Sequence, residues 1–227
     1  MPQSAGLDVA ALVSVALTAA QNAPGAFVIP TVLLERVLLK ESEPQRGARL
    51  ADAAAGWFER AGFHAERSHV GGHGYGGRIK EVMDWYIQDS SVLRAQHEAE
   101  LATQADLLAA RAGFSKEQLA LLRESSDREF QRSLDLMRSM TVDECDASYN
   151  LIFPEYEDDD GTFFVDDFRE CAGSPDLLVW SKNDSAKQWF FCEVKSLNDH
   201  LGPAQVAWIK GSWDQIGGHF LLLLLDS

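Results

Sequence analysis

The chain has 227 residues, 46% of them hydrophobic and 24% charged, the balance of a globular protein with material for a core rather than of a disordered or fibrous chain. A net charge of -15 excludes a surface that is basic all round, and no apolar run reaches the roughly 20 residues that cross a bilayer. Cys145, Cys171 and Cys192 form no C-x-x-C pair, which excludes a disulfide framework and a cysteine zinc site.

The acidity is uneven. Residues 81–165 hold 19 Asp/Glu against 7 Lys/Arg, whereas residues 1–80 hold 7 against 8. The middle of the chain is therefore unsuited to a phosphate-binding face. Its acidic helical surface would suit a protein partner instead.

The apolar stretch Leu7–Ala20 contains Asp8 and lacks a basic leader, so it reads as a packed helix over about Gly6 to Gln21 and not as a signal peptide. A reducing cytoplasm is the expected compartment. Asn22-Ala23-Pro24-Gly25 breaks that helix. A second helix is expected after Pro30, with Val32, Leu33, Val37 and Leu38 on one face, ending by Glu41-Ser42-Glu43-Pro44. A third, over Arg46 to Ala61, carries Leu50, Ala54, Trp57 and Phe58 at helical spacing. Gly62 closes it as a C-terminal cap, and Phe63 to Val70 reads as a strand.

Gly71 to Gly77 holds five glycines around His73 and Tyr75. It reads either as a connecting loop or as backbone that approaches a phosphate closely before a helix N-terminus. With Arg78 and Lys80 beside it, His73 marks the least acidic neighbourhood of the chain and the candidate nucleic-acid face. Helices are expected through most of Arg78 to Met140. Ile79, Val82, Met83, Tyr86 and Ile87 share one stripe. Ser115-Lys116-Glu117-Gln118 forms a capping box before Leu119, Leu121 and Leu122, and Phe130, Leu134 and Met137 continue an apolar face. These stripes are expected in the core. Glu155 to Gly161 is acidic but lacks the ligand spacing of a calcium loop, and reads as a solvated turn.

The C-terminal part carries the chemistry. Pro175-Asp176 opens an apolar run ending at Trp180, Ser181 to Ser185 is a turn cluster, and Gln188 to Lys195 is a second apolar run. The two make a hairpin. Alternation places Glu193 and Lys195 on one side and Val194 on the other, with Asp176 across from Cys192 and Glu193. Two carboxylates and an ammonium thus meet at one end of the hairpin. That set can hold a hard divalent cation by oxygen with an amine beside it. Gly202-Pro203 then starts a helix bearing Gln205, Trp208, Ile209 and Trp213, and a Leu-rich strand follows.

Four elements in order carry a family resemblance: Gly173-Ser174-Pro175-Asp176-Leu177, Glu193-Val194-Lys195, Asn198-Asp199-His200-Leu201 and Gln205-Val206-Ala207-Trp208. Together they resemble the VRR-NUC branch of the PD-(D/E)XK nucleases. The N-terminal half, over Leu50 to Tyr86, is similar to the nuclease domain of the Fanconi-associated nuclease.

The resemblance implies an α/β restriction-endonuclease-like core, a mixed sheet flanked by helices, with a large helical N-terminal part and insert. It implies one nuclease domain over residues 1–227, with N-terminal helices at 1–70, a helical insert at 78–150 and a catalytic core at 163–227. It also implies Mg²⁺ or Mn²⁺ held by Asp176, Glu193 and the Val194 carbonyl. Lys195 would be the catalytic lysine, and Gln205 would face the site. The reaction implied is hydrolysis of DNA phosphodiesters. The setting would be junction or flap repair on branched or flapped DNA, or an antibacterial toxin delivered into a target-cell cytoplasm and blocked by an immunity protein. Where the family supplies a further Glu, this chain has His73. The nearest acids are Glu66, Glu81 and Asp84. A nuclease fold without that ligand, acting only as a binding module, is the alternative.

Overall fold

The computed structural model describes residues 15, 31–34, 48–68, 74–86, 90–112, 115–153, 155–157, 163–165, 173–182, 187–216 and 219–225. In chain order they form β1 (Thr31–Leu34), α1 (Ala48–Arg60), β2 (Phe63–Arg67), α2 (Tyr75–Tyr86), α3 (Ser90–Ala112), α4 (Lys116–Ser139) and α5 (Val142–Ile152). There follow β3 (Glu155–Glu157), β4 (Phe163–Val165), β5 (Leu177–Ser181), β6 (Trp189–Ser196), α6 (Pro203–Ile216) and β7 (Phe220–Leu225). Five strands make a mixed sheet in the order β1-β7-β6-β5-β2, and β3 and β4 pair separately. β7 runs parallel to β1 and β6, whereas β5 is antiparallel to β6 and to β2.

Helices cover both faces of this sheet, which is why its central strands are continuous apolar runs rather than alternating ones. On one face, Leu177, Val179, Phe190, Cys192 and Val194 pack against Ala51, Ala54, Trp57 and Phe58 of α1. On the other, Leu178, Trp180, Trp189 and Phe191 meet Tyr75 and Ile79 of α2, Ile152 of α5, and Trp208 and Ile209 of α6. Alternation along β6 carries Glu193 and Lys195 to this second face, where α6 can reach them.

The expected hairpin is present, with Leu177 opposite Cys192 and Trp180 opposite Trp189. Gly62 takes a positive φ of 91°, which lets α1 turn directly into β2 as its cap. The Ser115–Gln118 capping box forms as expected. Thr141 and Glu144 make a second one at the start of α5. α4 is fastened to the sheet edge by Arg132. Its guanidinium lies over the Trp180 ring at 5.4 Å, 2.7 Å from Glu59, while its carbonyl accepts the Trp180 indole N–H at 3.1 Å.

Four expectations change. After Pro30 the chain enters a strand, not a helix: Thr31–Leu34 pairs with Leu222–Leu225. A short apolar run fits either period, and the Leu-rich neighbour decides it. Tyr75, Gly76 and Gly77 are the first turn of α2, not loop. Glu155–Glu157 is a strand paired with Phe163–Val165 instead of a solvated turn. Leu121 and Leu122 are 65% and 46% exposed, not core. The helix expected over Gly6 to Gln21 lies outside the described residues apart from Val15. So do His73 and Ile87.

Candidate active site

Asp176 sits at the turn into β5, held from both sides. Its carbonyl accepts the Ser68 N–H at 2.9 Å, and the carbonyl of Pro175 before it accepts the Tyr75 hydroxyl at 2.8 Å. Its side chain crosses to β6, where Oδ2 accepts the Val194 N–H at 2.9 Å. Gly173 explains why this loop reads Gly-Ser-Pro-Asp. Its φ is +91°, and a Cβ there would lie 2.5 Å from the backbone of Ala204. Only glycine allows the loop to touch the first turn of α6.

Glu193 points into the space between β6 and α6 and is 1% exposed. Its Oε1 lies 2.6 Å from Lys195 Nζ and accepts from Gln205 Nε2. The Gln205 amide is oriented by its other end, since Oε1 accepts the Gly202 N–H at 2.8 Å at the start of α6. Gln205 thus caps the helix with its oxygen and serves the site with its nitrogen. Ser196 and Asp199 close the turn between β6 and α6, with the serine hydroxyl 2.8 Å from Asp199 Oδ2. Trp208, one turn along α6, takes no part in the site. It donates its indole N–H to the Leu151 carbonyl at 3.2 Å and packs on Phe191.

The site carries two carboxylates and one ammonium. The Glu193 carboxyl is pushed up to about 7 from an ordinary value near 4.5, first of all by burial. The neighbouring Asp176 carboxylate adds to that rise, and Lys195 pulls against it. Such surplus negative charge in a low-dielectric site is what a divalent cation relieves. The donor set is hard oxygen, which suits Mg²⁺ or Mn²⁺. The residues present therefore fit such an ion, which Asp176 and Glu193 would hold.

The structure brings Asp176, Glu193, Lys195 and Gln205 together. Among the described residues no third His, Cys, Asp or Glu completes a metal-binding group with the two carboxylates. The three acids nearest in sequence to the glycine stretch are elsewhere. Glu66 Oε2 accepts from Arg78 Nε at 2.9 Å, and Glu81 Oε2 accepts from Ser133 Oγ at 2.7 Å. Asp84 is exposed on α2. Arg78 is turned inward. Its side chain is 11% exposed and paired with Glu66, Glu81 and Glu129, because it fastens α2 to β2 and α4. Lys80 is exposed on α2. Tyr75 is the residue the sequence reading passed over. Its only signal was a single aromatic among the glycines.

Comparison with curated proteins gave no match. The family model of the VRR-NUC domain matches residues 155–217, which contain Asp176, Glu193, Val194, Lys195 and Gln205. That segment matches the VRR-NUC domain, a nuclease domain of the PD-(D/E)XK-like superfamily.

Proposed function

We propose that this protein is a divalent-metal-dependent endonuclease that hydrolyses DNA phosphodiesters at the Asp176–Glu193–Lys195 centre. The observation that carries the reading is the buried Glu193 carboxyl wedged between Asp176, Lys195 and Gln205. No packing role accounts for that arrangement, and an ion relieves it. In this reading Asp176 and Glu193 hold Mg²⁺ or Mn²⁺, with the Val194 carbonyl as a further ligand. When bound, the ion polarises the phosphodiester and acidifies a water.

The chain's own groups do the rest. Gln205 fixes the Glu193 carboxylate in one orientation. Lys195, 17% exposed at the edge of the site, places its ammonium where the attacked phosphate gathers charge. The clamp on Pro175 and Asp176 keeps the first carboxylate against β6.

For the biological setting, charge favours a toxin over a repair enzyme. No Lys or Arg lies between Arg138 and Arg169, a span that includes α5 and the β3–β4 pair. Such a surface repels the DNA backbone and suits a blocking protein partner. Expression of the wild-type gene beside Asp176→Ala in a bacterial host separates the two settings: lethality only of the wild type supports the toxin. The activity itself is tested with purified protein and supercoiled plasmid. Cleavage that needs Mg²⁺ or Mn²⁺ and stops with EDTA is expected. Uptake of DNA without cleavage under any divalent ion would instead favour a nuclease fold kept only for binding.

A further inference from the structure

We propose that Tyr75 is a positioning residue of the active centre, acting on Asp176 through the Pro175 carbonyl. The proposal rests on the metal-dependent reading above and extends the site to α2, outside the matched segment 155–217.

Tyr75 is fully buried in the first turn of α2. Its ring packs edge-on against Phe191 at 5.5 Å, and Phe191 is two residues before Glu193 on the same face of β6. Its hydroxyl donates to the Pro175 carbonyl at 2.8 Å across a sequence separation of 100 residues. Pro175 has no N–H, so its carbonyl is the only polar backbone group through which it can be held. The next carbonyl, that of Asp176, is held by Ser68 at the end of β2.

The β2–α2 unit therefore grips two consecutive carbonyls, one on each side of the Asp176 Cα. With the backbone fixed, the Asp176 carboxylate lies where it meets Val194 and Glu193. A tyrosine needed only for packing would be equally served by phenylalanine. A tyrosine at the other end of the same helix offers the comparison. Tyr86 directs its hydroxyl to the Met137 carbonyl at 2.9 Å and to the Met140 carbonyl, both at the end of α4.

The test is calorimetric titration with Mn²⁺, together with kcat and KM for plasmid cleavage and thermal melts. The proteins are the wild type, Tyr75→Phe and Tyr86→Phe. The expected result is that Tyr75→Phe binds Mn²⁺ about 10- to 100-fold more weakly, the range for loss of a group that orients a metal ligand. Its kcat falls and its KM for DNA is unchanged. Tyr86→Phe lowers the melting temperature to a similar degree but leaves Mn²⁺ affinity as in the wild type. Tyr75→Phe with wild-type affinity and kcat overturns the proposal, as does an equal loss of affinity in Tyr86→Phe.

Should Tyr75→Phe fail to melt cooperatively, p-aminophenylalanine at position 75 takes its place. Its weaker N–H donor predicts intermediate affinity, and full wild-type affinity overturns the proposal. A wild-type chain that takes up no Mn²⁺ would sink the metal-dependent reading itself, an outcome distinct from failure of the Tyr75 role.

Discussion

The most quantitative consequence of the site is the loss of stability with rising pH that Glu193 contributes. In the folded chain its carboxyl keeps its proton up to about 7, whereas the unfolded chain releases it near 4.5. Between those values the folded state binds the extra proton. Stability contributed by the neutral form is therefore complete below about 4.5, falls as pH rises through the window, and is lost above about 7. At about 1.4 kcal/mol per pH unit, the full loss is about 3 kcal/mol. The assay is urea unfolding in EDTA at about pH 5 and about pH 8.5, on the wild type and on Glu193→Gln, which cannot ionise. The wild type should lose about 3 kcal/mol more than the variant between the two conditions. Mn²⁺ at about 100 times its dissociation constant should return about 2.7 kcal/mol at the higher pH in the wild type only. Parallel pH profiles for the two proteins would refute the reasoning, because Glu193 would then ionise as freely in the fold as in water.

Other substitutions report on the supports of the site. Gly173→Ala combines a left-handed backbone with a Cβ 2.5 Å from Ala204, and should cost about 2–5 kcal/mol in a denaturant melt. A loss below that range would mean that the loop does not touch α6 as described. Trp208→Phe removes the donor to the Leu151 carbonyl. It should lower stability by about 1 kcal/mol while leaving kcat near that of the wild type. Arg78→Ala removes the cation that Glu66, Glu81 and Glu129 share, with Arg132 remaining 4.0 Å from Glu66 and 3.9 Å from Glu129. A cost of about 2–4 kcal/mol is expected, with an unchanged salt slope of DNA binding. A flatter salt slope would show that Arg78 contacts phosphate after all.

The hairpin was legible because charge at the end of an apolar strand has no packing use. Asp176, Glu193 and Lys195 stand out against Leu177–Trp180 and Trp189–Cys192 without any knowledge of the fold. Gln205 was legible only through the Gln205-Val206-Ala207-Trp208 element of the family resemblance. What lay outside sequence reasoning depends on contacts between distant segments. Thr31–Leu34 becomes a strand only because β7 offers it an edge. Arg78 looks basic in the chain but is neutralised by acids from α2, β2 and α4. The Tyr75 hydroxyl finds its carbonyl across a separation of 100 residues, a distance no local pattern encodes. The raised Glu193 carboxyl likewise belongs to the fold, since burial beside Asp176 creates it.

In the proposed function the Asp176–Glu193–Lys195 cluster is a metal-dependent hydrolytic centre. Single-turnover plasmid nicking by the purified chain in saturating Mn²⁺ tests it most directly, with the wild type beside Asp176→Ala and Lys195→Ala. The expected result is nicking by the wild type alone, with both variants folded and reduced by at least about a hundredfold, which is about 2.7 kcal/mol of barrier. Variants that cut at the wild-type rate would contradict it.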